Sequence, residues 1–269
     1  MISKPPAIKL DKLSFDEKKE ILEEYYQFYN TTDFIPKDPI AIPHLFDQKE
    51  DIEIAGLIAA IFAWGNRQTI LNKSKEFLTL MDNAPYDFIL NAKDADLKPF
   101  ANFKHRTFNG IDAGAFIKSL NNIYNNHGGL EGAISQSIDK EHKNVKEGLI
   151  KFKELFLLQD DFPSRTKKHI ASPTSNSSCK RLNMYLRWMV RSDTRGVDFG
   201  IWSKIKPAQL VCPCDVHVIR VATFLGLNEQ SIANWTMAET LTNKLAAFDA
   251  ADPVKYDFAL FGLGVNGVY

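Results

Sequence analysis

The chain has 269 residues, 45% hydrophobic and 25% charged, enough to bury a large core as one sizeable domain or two small lobes. Its formal net charge is +0, so the overall charge gives no reason to expect nucleic-acid, membrane or acidic partners. Three cysteines, Cys179, Cys212 and Cys214, are too few for a four-cysteine metal or iron–sulfur site and too odd for a disulfide framework. No apolar run approaches the roughly 18 residues of a membrane span, and the opening run MISKPPAIKL lacks the apolar core of a signal peptide. A soluble, cytoplasmic protein is expected.

Taken in order, Ser14 and Glu17 form a capping box before an apolar pattern that predicts a helix over 15–29. Pro36, Pro39 and Pro43 then carry the chain to residues 51–64, which are apolar on nearly every side, as a buried central helix would be. Gly65 and Asn66 break that helix, and a second is expected over 67–81. Short helical turns are expected at 85–90 and 97–100. Asp112 is read as the cap of a helix that stops at His127-Gly128-Gly129. Helices follow over 130–138 and 145–158, then a Pro/Ser/Asn run over 172–178. Thr236 and Glu239 read as a second capping box, and Asp252-Pro253 as the start of the closing helix, 254–263. Alternating strand patterns are nearly absent, so the fold class is all-α. The longest irregular segment is 195–209.

Two helices stand out. The first, Cys179 to Arg191, carries Lys180, Asn183, Arg187 and Arg191 at i, i+3, i+7 and i+11, a cationic stripe on an otherwise apolar rod. It lies in a basic segment, Ser164 to Arg195, that also holds Arg165, Lys167 and Lys168 and has Asp193 as its one acid. A local patch on a neutral protein is more informative than a basic average. The second helix follows Pro213-Cys214-Asp215-Val216-His217, with Val218, Val221, Ala222 and Leu225 along one face and Asp215 at the N-cap position.

In this order and context the residues resemble the helix-hairpin-helix DNA glycosylase superfamily of endonuclease III and 8-oxoguanine DNA glycosylase, as an uncharacterised bacterial branch. In that superfamily a hairpin leads into a helix that begins with a catalytic lysine. An aspartate follows in a Pro-x-Asp-x-His context before an apolar helix ending in Leu-Gly-Leu. Ser178-Cys179-Lys180 stands at the hairpin-to-helix junction, and Pro213 to Leu227 is similar to the second element. The likeness extends to the helix ending at Trp64 with Asn66, Arg67 and Gln68 after it, to Phe103-Lys104-His105-Arg106, to Gly128-Gly129, and to the closing stretch from Tyr256 to Val265. Three features differ from the superfamily: Pro173 to Ser178 has no glycine, Lys180 and Asp215 are 35 positions apart, and the four-cysteine cluster is missing. No iron–sulfur centre is implied.

The resemblance implies a two-lobed helical fold with a cleft between the lobes, all in one domain over 1–269. Lobe A would hold about 50–192, a helical barrel with the hairpin, and lobe B about 1–49 plus 209–269. Lys180 would be the nucleophile and Asp215 the carboxylate that stabilises an oxocarbenium-like transition state and helps activate the amine. Ser175, Asn176, Ser177 and Ser178, with Lys167, Lys168, Arg187 and Arg191, would hold phosphates, while Asn66, Arg67 and Gln68 would fill the gap left by an extruded base. The partner would be double-stranded DNA with a damaged base, and the enzyme a monomer needing no cofactor.

Each assignment has a plainer counterpart. Lys180 also reads as an exposed helix-start lysine, Asp215 as an ordinary N-cap, the arginine stripe as a solvated face or ion pairs, and residues 66–68 as the cap of a buried helix. Cys212, Cys214 and His217 are too few for a metal site; the cysteines read as packing residues and His217 as a brace for its helix. Trp64, Trp188, Trp202 and Trp235 read mainly as core, though a base stacked on one of them would suit a glycosylase pocket. Two further functions stay open: a non-catalytic DNA-binding protein on the same scaffold, and a helical scaffold for protein partners.

Overall fold

The computed structural model describes residues 13–139, 141–230 and 232–267. The opening run read above for a signal peptide lies outside them. The described chain is all-α: α1 (Phe15–Tyr29), α2 (Lys49–Phe62), α3 (Arg67–Thr79), α4 (Pro85–Asn91), α5 (Gly110–Asn126), α6 (Gly129–Ser135), α7 (Lys146–Phe156), α8 (Lys180–Val190), α9 (Val216–Phe224), α10 (Trp235–Ala246) and α11 (Asp257–Asn266). A two-residue hairpin, β1 (Lys104–His105) and β2 (Phe108–Asn109), pairs antiparallel in front of α5. Among the described residues no helix is long and apolar enough to cross a membrane.

The chain divides into two compact units. The central unit comprises residues 35–175 and 201–205, and the terminal unit 13–34, 176–200 and 206–267. These bounds differ from the expected lobes at two places. Residues 35–49 belong with the central unit, and α8 belongs with the termini, because its arginines pair with carboxylates of the C-terminal segment.

In the central unit, α2 is buried over nearly its whole length, as its all-round apolar pattern requires. It ends at Phe62, whose ring opens an aromatic cluster with Phe77, Phe103 and Phe108 at centroid distances of 5.5, 5.5 and 5.0 Å. One charged residue on α2 is buried. Glu53 accepts hydrogen bonds from Trp202 Nε1 at 2.7 Å and Tyr124 OH at 2.8 Å. On α6, Glu131 accepts from the Ser203 and Lys204 amides at 2.7 and 2.9 Å and pairs with Lys49 Nζ at 2.7 Å. These two carboxylates draw residues 201–205 into the central unit, although that segment has no helical pattern of its own.

Capping chemistry departs from expectation in three places. The cap of α5 is Asn109, with Asp112 as its reciprocal partner three residues on. Asp112 also accepts from Thr166 Oγ1 at 2.6 Å and lies 3.3 Å from Arg165, so it ties the 3-10 turn Ser164–His169 to α5. For α10 the cap is Asn234, two residues before the expected Thr236. Asp252 makes no side-chain cap, because its carboxylate is taken by Arg191; Pro253–Tyr256 is a 3-10 turn and α11 starts at Asp257. The capping box of α1 is present as read, with Ser14 and Glu17 satisfying each other's amides.

The terminal unit packs α11 against α1 and α9. Gly262 makes the first contact possible, since a Cβ there would lie 2.2 Å from the Tyr29 ring. Last-turn cations favour a helix C-terminus and α1 has none. Arg195 supplies one from a distance, donating from Nη1 to the Gln27 and Asn30 carbonyls at 3.1 Å each.

Candidate active site

Lys180 is the first residue of α8. The chain reaches it through the 3-10 turn Pro173–Ser175 and a run with two left-handed residues, Asn176 and Cys179, both at φ 51°. That backbone region normally favours glycine or asparagine, so the run without glycine still makes turns of a glycine-like kind. The junction is stapled by side chains: Cys179 N donates to Ser177 Oγ at 3.1 Å, and Asn183 Nδ2 reaches back to the Ser178 carbonyl at 2.9 Å. Ser175 and Asn176 are exposed, Ser177 is half-buried and Ser178 is buried.

Asp215 caps α9. The segment before it, Leu210 to Cys214, is buried, with Cys212 N held by Thr242 Oγ1 at 2.9 Å. The Asp215 carboxylate is divided between two duties. Oδ1 accepts from the His217 and Val218 amides at 2.9 and 3.0 Å, while Oδ2 faces Lys180 Nζ at 3.3 Å. Two helix N-termini thus present a cation and an anion to each other from positions 35 residues apart. Both side chains keep contact with solvent, at 32% exposure for Lys180 and 15% for Asp215.

The helix dipole treats the two groups oppositely. An anion at the start of α9 is stabilised, whereas a cation at the start of α8 is disfavoured by about 0.3–1 kcal/mol. Lys180 therefore does nothing for its own helix, and Asp215 is the group that offsets its charge.

Beneath this pair lies a layer of buried charge. Arg187, 4% exposed, bonds through Nη1 to Asp257 Oδ2 at 2.5 Å and has Nε 3.3 Å from Asp198 Oδ1. Arg191, fully buried, engages both oxygens of Asp252 through Nε at 3.0 Å, pairs with Asp198 through Nη1, and lies 3.3 Å from Asp193. Both guanidinium groups stack on Phe258, at 4.2 and 5.6 Å from its centroid. Burial pushes the Asp257 carboxyl up to about 6, against the pull of Arg187, with Asp215 adding to the rise. Burial also raises Asp198 despite its two arginines. For Arg191 burial works against the charge, but Asp198 and Asp252 outweigh it and hold the guanidinium more firmly protonated than usual.

The expected cationic stripe is thereby corrected. Arg187 and Arg191 do not face solvent and hold no phosphate, because four aspartates consume them inside the unit. Lys167 and Lys168 are exposed, on the 3-10 turn of the central unit, and Asn66, Arg67 and Gln68 are exposed at the start of α3. Asn66 caps that helix, accepting from Thr69 N at 3.1 Å. Trp188, Trp202 and Trp235 are core, but Trp64 is not: it is 37% exposed, with the Arg106 guanidinium over its ring. His217 Nδ1 lies 3.2 Å from the Gly264 carbonyl and fastens α9 to α11. Cys212 and Cys214 are buried, and Cys214 Sγ donates to the Cys212 carbonyl at 3.3 Å. The neighbouring Cys214 thiol and burial push the Cys212 thiol well up. Among the described residues no group of three or more His, Cys, Asp or Glu side chains is placed to hold a metal ion.

The layer of Asp198, Asp252 and Asp257 was missed in the sequence. The signal that would have found it is chemical: two arginines on a rod otherwise apolar must be matched by buried carboxylates if that rod is core.

Fold and site together define a class: an all-α protein with a solvent-touching lysine–aspartate pair at two helix starts. The sequence matches the DUF2400 family, described as a protein of unknown function, over residues 38–266, and the chain belongs to that family. Neither the curated proteins nor the solved structures compared with it give a match.

Proposed function

We propose that this protein is a DNA glycosylase of the helix-hairpin-helix type, which removes a damaged base and cleaves the resulting abasic site through a lysine Schiff base. One observation carries the reading: Lys180 Nζ lies 3.3 Å from Asp215 Oδ2, with both groups reached by solvent. The left-handed residues Asn176 and Cys179 before α8 support it, since they give the approach to Lys180 the turns that glycines give the superfamily's hairpin.

Chemically, an amine must lose a proton before it attacks, and the facing carboxylate is placed to take it. Nζ then bonds to the sugar's anomeric carbon as the bond to the base breaks, the base leaving with the electron pair. The carboxylate also stabilises the positive charge that develops on the sugar. The alkylated nitrogen, now carrying two protons and a positive charge, gives one up to the departed base. Its lone pair then forms the C=N bond as the ring C–O bond breaks, the ring oxygen takes up a proton, and the resulting protonated Schiff base is the species from which the strand is cut. Ser175, Asn176, Ser177, Lys167 and Lys168 contact phosphates in this reading. Ser178 is buried and contributes only its place in the turn. Asn66, Arg67 and Gln68 fill the gap in the duplex.

The test is borohydride trapping on duplexes holding an abasic site or an oxidised base. Wild type is expected to give a covalent adduct and Lys180→Gln none. Absence of an adduct and of base release across a panel of lesions would sink the proposal.

A further inference from the structure

Three segments of the central unit, residues 62–75, 98–111 and 162–170, each carry three lysines or arginines and no acidic residue. In a chain whose net charge is +0, that segregation is informative. Packing brings them together. Phe62 from the first contacts Phe103 and Phe108 of the second, Phe108 contacts His169 of the third at 5.1 Å, and Arg165 Nη2 donates to the Thr107 carbonyl at 2.8 Å. Two of the cations are already neutralised, Lys73 by Glu76 and Arg165 by Asp112. Arg67, Lys104, Arg106, Lys167 and Lys168 are exposed and stand in no ion pair among the described residues.

Within this surface the Arg106 guanidinium lies 5.0 Å from the centre of the exposed Trp64 ring. It rests on Gly65, where a Cβ would meet its Nη2 at 1.9 Å, and Gly65 has φ +104°. Only glycine lets the guanidinium settle there. Arg106 itself sits at φ 53° on the hairpin turn, backbone that disfavours arginine and holds the side chain over the indole. An exposed, preorganised arginine–tryptophan stack on segments that also carry unpaired cations serves no packing purpose.

We infer that this surface binds single-stranded or locally unpaired DNA, its cations holding phosphates while an unstacked base continues the Arg106–Trp64 stack. The partner follows from the two halves of the site: a polyanion answers the cations, and of polyanions only a nucleic acid brings flat rings every few ångströms. The inference deepens the proposed function and rests on it only in taking DNA as the polymer.

The experiment uses the full chain carrying Lys180→Gln, so that binding is read without chemistry. Trp64 is the exposed one of the four tryptophans, so its emission reports contact directly. A single-stranded oligonucleotide is expected to bind in a salt-dependent manner and quench that emission. Trp64→Ala should weaken binding about tenfold, in the range for one stacked base, while Trp64→Phe retains most of it. Arg106→Asn, chosen because asparagine tolerates the left-handed backbone, should weaken binding similarly. Thermal melts of each variant establish that the fold is intact. Equal affinity of Trp64→Ala and its parent would overturn the inference, as would equal competition by heparin or anionic vesicles without quenching. Base release by wild type with unaltered binding by these variants would leave the glycosylase standing and remove this surface. Quenching and loss of affinity with no base release on any substrate would do the reverse.

Discussion

Lys180 and Asp215 face each other at 3.3 Å although each begins a different helix, and only one oxygen of Asp215 takes part. The other caps α9, which makes structural and chemical roles separable by substitution. Asparagine keeps a capping oxygen but loses the charge, so Asp215→Asn should hold its stability within about 0.5 kcal/mol while base release disappears. Asp215→Ala should lose the reaction and about 1 kcal/mol of stability besides. Urea denaturation beside a base-release assay reads both; equal activity of Asp215→Asn and wild type would remove the carboxylate from the chemistry.

The buried carboxyl of Asp257 sets a dependence on pH. Its folded value of about 6 stands above its ordinary 3.8 because burial disfavours the charge. Between those values the folded chain holds the proton that the unfolded chain has released. Stability from this group is therefore greatest below about pH 4, falls as pH rises to about 6, and is level above. That rise corresponds to roughly 3 kcal/mol. Asp257→Asn should flatten that part of a stability–pH profile measured by urea denaturation between pH 4 and 7; an unchanged slope would assign it to another group.

Much of the fold was legible because its signals are local. The Ser14/Glu17 box, the all-round apolar α2 and the double glycine after α5 each depend on a few neighbouring residues, and each is where the pattern put it. Caps were misread where tertiary demand won: Asp252 is a good N-cap by type, but a buried guanidinium holds it more strongly than free amides would. The stripe of Arg187 and Arg191 was visible by spacing, yet periodicity places side chains on one face without saying what covers it. Its partners lie up to 70 residues away. The Lys180 and Asp215 pairing was anticipated from order and context, whereas the Arg106–Trp64 stack had no sequence signal, since its geometry depends on Gly65 and the hairpin turn.

Residues 201–205 are held in the central unit by Glu131 and Glu53, and the Glu131 part of the bond is measurable by itself. Burial raises the Glu131 carboxyl, but Lys49 and the Ser203 and Lys204 amides outweigh it and keep the group below its ordinary value. Its contribution is present above the ordinary carboxylate range and is lost as pH falls through the folded value. Glu131→Gln should cost about 2 kcal/mol near neutrality, the scale of charge-assisted hydrogen bonds, and should speed exchange of the Ser203 and Lys204 amide protons. Protection of those two amides equal to wild type would show that the segment is held by Trp202 on Glu53 instead.

Arg191 distinguishes a buried strut from a phosphate contact. The superfamily resemblance would place it on a phosphate, whereas its guanidinium is fully buried among Asp198, Asp252 and Asp193. Arg191→Met removes the cation and strands those carboxylates, so a loss of about 3–5 kcal/mol is expected in urea denaturation. Arg191→Lys keeps the charge but not the planar fork that reaches Asp252 through Nε and Nη2 and Asp198 through Nη1, and it should also destabilise. Adding Asp198→Asn to Arg191→Met should recover part of the loss, since one unmatched charge is removed with it. The dependence of DNA affinity on salt supplies the decisive contrast. A phosphate-binding arginine lowers the slope by about one when removed, whereas a strut leaves it unchanged in any variant that remains folded. Arg191→Met combined with Asp198→Asn, measured at a temperature where it is fully folded, should retain the wild-type slope, and a slope reduced by about one would return Arg191 to the DNA interface.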